Sequence, residues 1–234
     1  MTLAQMHIEF KLGLDKTDSL NYPNFEPEEI DSWLNNAQGR FVKTRYVHNT
    51  KGDTFEETQK RTDDLRTIVT EVTLIPSAIQ TPTKPNGILF DLPNGTMGGP
   101  DVYWFAINEE CEIRYVDCNG SWVDERTGVY ATQHDDYDKM IDDPFNKPTK
   151  GVVLRLMHGL WAELITDGSF TINQYFLRYI RQPITLDIIN FPGMSCELAE
   201  HTHQEIVNIA VSLALENIAS PRFQSHMISD YAQE

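Results

Sequence analysis

The sequence predicts an α+β protein: an α-helical bundle from N- and C-terminal helices, carrying an antiparallel β-rich insertion. Three observations predict it. Near both ends, apolar residues recur at three- and four-residue steps, the period of a helix with one buried face. Between them, short β-branched and aromatic runs are broken by Asn-Gly, Asp-Gly and lone Gly turns, which is hairpin chemistry. Those runs lie too close together for crossover helices, so a parallel sheet is not expected. With 234 residues, 40% of them hydrophobic and 23% charged, the chain can bury a core without staples.

Residues 1–26 read as an N-terminal arm. Leu12, Leu14 and Leu20 are scattered among polar residues, and Pro23 and Pro27 punctuate the end. Pro27 suits a first helical position, and Glu28 and Glu29 complement the helix dipole behind it. Ile30, Trp33, Leu34, Ala37 and Phe41 then form one apolar stripe, and Arg40, Lys43 and Arg45 sit toward the negative pole. A second helix presents Phe55, Thr58, Thr62, Leu65 and Ile68 or Val69 on one face. The β-branched stretch from Thr67 to Ile75 turns into a strand. Pro and Gly dominate from Pro76 to Pro100 and mark a border.

Beyond it the strand candidates are Asp101–Asn108 and Cys111–Asp117, joined at Glu109-Glu110, then Trp122-Val123 after the Asn119-Gly120 turn. Val152–Met157, Trp161–Ile165, Phe170–Ile180 and Ile184–Ile189 follow. Residues 133–150 read as an exposed acidic loop with one helical turn at most. The closing helix spans Glu200 to Ile218, with Ile206, Ile209, Ala210, Leu213 and Ala214 as its stripe and Val207 and Val211 broadening it. Thr202 and Glu205 have the spacing of a capping box. The expected organisation is an arm (1–26), a helical core (27–75 with 196–220), a β-rich insertion (76–195) and a C-terminal tail (221–234).

Charge argues against a general nucleic-acid binder and leaves only a local basic face open to that role. Nineteen basic residues against 35 acidic ones give −16, and duplex DNA repels such a surface overall. The excess is uneven: thirteen acids face five bases between Asp91 and Lys150. No apolar run approaches the roughly 20 residues of a membrane span, and the N-terminal residues lack the basic flank and apolar run of a signal peptide. Cys111, Cys118 and Cys196 are odd in number and widely spaced, which argues against a disulfide framework or a thiolate zinc site. They fit a reducing compartment.

Chemistry-bearing patterns are weak. His201-x-His203 with Glu205 sits at a helix start, where the two rings diverge by about 200°, so solvated histidines are the better reading than a metal site. Asp135, Asp136, Asp138, Asp142 and Asp143 lack the alternation and central Gly of an EF-hand and suggest an acidic docking surface. No nucleophile elbow, P-loop or dinucleotide fingerprint occurs. No catalytic, cofactor-binding or metal residue is therefore assigned, and no enzyme activity is expected. Tyr103, Trp104, Phe105 and Trp122 could stack on sugars or bases but are better read as core and rim. Arg40, Lys43, Arg45, Lys51, Lys60, Arg61 and Arg66 on the early helices and the acidic insert with its aspartate cluster make the chain electrically polar along its length, which reads either as a solvated helix face or as head-to-tail contact between copies.

Several segments resemble a structural protein of crAss-like phages. They are Pro27 to Tyr46, Phe55 to Arg66, the loop Asp143-Pro-Phe-Asn-Lys-Pro-Thr149, the strand Tyr175 to Pro183, and His203 to Pro221. The resemblance runs from about Phe25 to Phe223. It implies a ring protein of the head-to-tail connector, similar to the tail adaptors of short-tailed phages. It further implies about twelve copies around a channel that passes genomic DNA, with the portal and neighbouring tail or ring proteins as partners. A place in the virion neck, synthesis in the host cytoplasm, no cofactor and no membrane partner go with it. The interface candidates on this reading are Arg40, Lys43, Arg45, Asp135, Asp136, Asp138, Asp142, Asp143 and Phe223. Two other readings are a tail or baseplate component that binds host glycan through the aromatic insert, and a small hydrolase whose site is assembled only in space.

Overall fold

The computed structural model describes residues 1–15, 25–46, 60, 62–78, 81–95, 101–191 and 193–217. It is α+β: mixed helices and a seven-stranded sheet. The chain forms two compact units. Unit 1 comprises Met1–Ile68 and Pro183–Glu234, and unit 2 comprises Val69–Gln182.

Unit 1 is helical. Helices α1 (Leu3–Asp15) and α2 (Pro27–Tyr46) come first, and α4 (His203–Asn217) closes it. The segment expected as an arm therefore holds a core helix. Leu3, Met6, Phe10 and Leu14 are buried at three- and four-residue steps. Its first turn is held by a capping box: the Thr2 amide donates to Gln5 Oε1 at 2.9 Å, and the Gln5 amide to Thr2 Oγ1 at 3.3 Å. Gly13 permits a close approach, since a Cβ there would stand 2.8 Å from a methyl of Val211 on α4. The box expected at the closing helix does not form. The Thr202 hydroxyl donates to the Ala199 carbonyl at 2.8 Å within a 3₁₀ turn (Glu200–Thr202), and Glu205 is engaged elsewhere. On α4 the buried stripe is rotated toward Val207, Val211 and Leu215, and Ile209 and Leu213 are only half-buried. Much of the expected second helix lies outside the described residues. Residues 62–65 are helical and lead into the turn Arg66–Ile68.

The strand expected at Ile184–Ile189 is absent. That segment is irregular, and side chains of α2 serve its backbone. Leu186 donates its amide to Asn35 Oδ1 at 2.8 Å, and its carbonyl accepts from Asn35 Nδ2 at 3.0 Å. The Ile188 amide donates to Asp31 Oδ2, and the Ile184 carbonyl accepts from Gln38 Nε2. Asp31, Asn35 and Gln38 recur at four and three residues, so α2 carries a polar stripe beside its apolar one. Asp31 also meets His7 Nε2 of α1 at 2.7 Å, and both side chains are buried.

Unit 2 is the sheet, in the order β1-β7-β3-β4-β5-β6-β2. The strands are β1 (Val69–Leu74), β2 (Gly87–Asp91), β3 (Tyr103–Val116), β4 (Trp122–Ala131), β5 (Val152–His158), β6 (Trp161–Ile165) and β7 (Thr171–Arg181). The expected break at Glu109-Glu110 does not exist, and β3 runs straight through. Glu109 is accommodated because Tyr175 donates to it at 2.6 Å and Arg155 lies 3.2 Å away. Strand β2 falls in the Pro- and Gly-rich stretch that suggested only a border. All ladders are antiparallel except one: β4 and β5 run parallel. The acidic stretch is what permits this, because it is their crossover and carries the short helix α3 (Tyr137–Asp142). Tyr137, with half-buried Met140 and Ile141, packs on Leu154, Leu156 and Ile165. The sheet curls until its edge strands meet through the Ser77 amide, which donates to the Leu89 carbonyl at 2.7 Å. Phe90, Ile113, Leu164, Ile172, Tyr175 and Leu177 fill the core.

Candidate interaction surfaces

Arg40 and Lys43 are exposed on α2, but Arg45 does not join them. Its guanidinium donates to both Glu205 oxygens, at 2.7 and 2.8 Å, and its Nε lies 3.1 Å from Asp64 Oδ2. Asp64, 1% exposed, meets His201 Nε2 at 2.7 Å. This cluster ties α2 to the helical residues 62–65 and to the start of α4. It holds unit 1 together rather than displaying charge. The second histidine is not solvated: His203 is buried, with its ring nitrogens 2.9 Å from the Met1 amine and from the Leu198 carbonyl. Among the described residues no group of three or more His, Cys, Asp or Glu is placed to hold a metal ion.

The five aspartates do not converge either. Asp135, Asp138 and Asp142 point outward from the crossover, and Asp136 and Asp143 are half-buried. Lys139 Nζ sits 2.9 Å from Asp136. Asp143 organises the turn behind α3. Its Oδ1 accepts the Phe145 amide at 3.0 Å, and its Oδ2 accepts Asn146 Nδ2 at 2.5 Å. Its carbonyl accepts the amides of Asn146 and Lys147. The Phe145 amide first, and the Asn146 side chain second, hold the Asp143 carboxyl below the usual carboxylate range. The turn lifts Phe145 into solvent, where it is 93% exposed. Phe223 lies outside the described residues.

A cleft of about 540 Å³ opens in unit 2 between the edge strands. Val72 and Leu74 of β1 form one wall; Leu92 and Pro93 beyond β2, with Leu160 and Trp161, form much of the rest. Glu71, Asp91 and Asp101 add carboxylates to its lining. The aromatic residues divide. Tyr103 packs on Tyr179, Trp104 stacks on Phe105 with ring centroids 5.0 Å apart, and Trp122 is 70% exposed at the end of the β3–β4 hairpin. Cys111 and Cys196 are buried, and burial pushes the Cys111 thiol up to about 12, which keeps it protonated at neutral pH.

Sequence reasoning missed Glu163. It is fully buried on β6 and accepts the amides of Thr83 and Lys84 at 2.7 and 2.8 Å, and the Thr83 hydroxyl on its other oxygen. The signal was a lone acid inside the apolar run Trp-Ala-Glu-Leu-Ile. It fastens the loop before β2.

Known proteins supply the rest. The chain is 28% identical over 217 residues to Ring protein 3 of Bacteroides phage crAss001, an overlap covering 82% of this chain and 86% of that protein. It is 25% identical over 233 residues to Ring protein 4/5 of the same phage, covering 92% of each. The family described as phage tail ring protein 3/4 matches residues 1–223. That match takes in α1, α2, α4 and the whole curled sheet, so the chain belongs to the crAss-like phage tail ring protein 3/4 family.

Proposed function

We propose that this chain is a structural subunit of a ring in the head-to-tail connector of a phage particle. The ring lies below the portal, and genomic DNA passes through its channel. The observation that carries the reading is the family match over residues 1–223, with two ring proteins of one phage as relatives over most of their length. Physical features agree with it. The helices of unit 1 form the adaptor-type bundle on this reading, and the sheet is its insertion. A net charge of −16 suits a channel wall, because phosphates slide past carboxylates without neutralisation. Arg40 and Lys43 on α2 and the crossover aspartates supply opposite charges for contacts between copies and with neighbouring rings. Arg45 contributes to the same helix by fixing its end to Asp64 and Glu205.

Quantitative mass spectrometry of purified particles tests this, with portal and major capsid proteins as internal references. A copy number equal to the portal's, about twelve, places the chain in a symmetric connector ring. Absence from particles removes the proposal. A copy number several-fold higher moves the chain to the tail or capsid.

A further inference from the structure

We infer that neighbouring copies in this ring are joined by a knob and a slot: Phe145 of one copy enters the cleft between β1 and β2 of the next. The inference rests on the ring reading above and names the contact.

Phe145 is unlike the other large apolar residues at the surface. At 93% exposure it is almost entirely in water. An aromatic ring presented this far from the surface is of the kind that serves as an interface anchor. The ring is also held in place. Asp143 binds the backbone amides of Phe145, Asn146 and Lys147, and Pro144 and Pro148 restrict the chain on either side. The ordering entropy of the turn is thus met before any partner arrives, which favours a rigid anchor.

The slot has the matching chemistry. Its walls are largely apolar, and its 540 Å³ exceeds the roughly 150 Å³ that encloses a benzene ring. The carboxylate of Asp91 is exposed at the end of β2, where it can meet Lys147, the exposed cation two residues from the knob.

A copy cannot fill its own slot. Thr149, four residues beyond Phe145, bridges to Val152 at the start of β5. Leu160 and Trp161 of the slot follow the other end of that strand, about 20 Å away at 3.3 Å per residue. Knob and slot therefore lie apart on one copy, and the knob of one is left for the slot of another. Such a contact is heterologous, and it closes into a ring when the rotation between copies allows.

Paired cysteine substitutions on the full chain test this, in a Cys118→Ser background. Chains carrying Phe145→Cys are mixed with chains carrying Leu160→Cys under mild oxidation. The control pair is Phe145→Cys with Trp122→Cys. In parallel, oligomers of wild type and Phe145→Ala are sized by native mass spectrometry. Phe145 is too exposed for its replacement to threaten folding, which circular dichroism checks. The inference expects a disulfide-linked pair only with Leu160→Cys. It also expects Phe145→Ala to weaken each contact about thirtyfold, the loss of one aromatic hot spot. Rings that form equally well with Phe145→Ala, with no bridge to position 160, overturn the inference and leave the ring reading standing. A specific bridge without any larger oligomer supports the contact and counts against the ring reading. Monomers with no bridge overturn both.

Discussion

Glu163 shows how one side chain sets a local backbone. A carboxylate buried on a strand costs several kcal/mol in lost hydration unless donors replace the water. Here two amides and a hydroxyl of residues 83 and 84 do so. Gly87 completes the arrangement, since a Cβ there would collide with Glu163 Oε1. Truncation leaves those donors without their acceptor. Glu163→Ala is expected to destabilise by about 3 kcal/mol, and Glu163→Gln, which keeps one carbonyl oxygen, by about 1–2 kcal/mol. Urea unfolding measures both. Two variants within about 0.5 kcal/mol of wild type would show that water replaces the carboxylate freely. None of this was legible in advance beyond the oddity of an acid in an apolar strand, because the partners lie 79 and 80 residues away in the chain.

Helix α1 was legible in part and still read as an arm. Leu3, Met6, Phe10 and Leu14 carry the helical period, and Thr2 and Gln5 carry the capping signature. Gly13 weakened the pattern, as Gly in a helix costs about 1 kcal/mol relative to Ala. Its use is tertiary, the close approach to Val211. The acidic crossover misled in the opposite way: its aspartates advertised solvent, and one buried face built on Tyr137 was enough to seat a short helix and turn the next strand parallel. Strand continuity through Glu109 was hidden for the same reason, since Tyr175 and Arg155 come from other strands. For α1 the two readings differ measurably. Phe10 is fully buried and stacks edge-on against Phe25 with centroids 5.9 Å apart, while Ile8 is 57% exposed. Phe10→Ala is expected to cost about 3–5 kcal/mol, and Ile8→Ala less than about 0.5. A thermal melt in which the two variants coincide would return residues 1–15 to the role of an arm.

At the scale of the whole molecule, the division into two units follows from strand pairing. Val69 opens unit 2 and pairs with Ile180 near its close, so the segment leaves from beside the point where it enters. Between those points every strand finds its partners inside the segment, and among the described residues the core from Phe90 to Tyr179 is built from residues of the segment itself. The sequence placed an insertion here, but with edges at 76 and 195. Two assignments moved them: β1 belongs to the sheet, and the residues after Pro183 belong with the helices, where Asp31, Asn35 and Gln38 hold them. The edges matter for autonomy. A fragment of residues 69–182 keeps every ladder, whereas one beginning at residue 76 loses β1 and leaves the outer edge of β7 unpaired. The first is expected to unfold in one cooperative transition with a dispersed amide NMR spectrum; the second is expected to aggregate or to melt at least about 10 °C lower. If the two fragments melt alike, β1 adds nothing to the sheet it borders. If neither folds, the sheet depends on unit 1 despite having a core of its own.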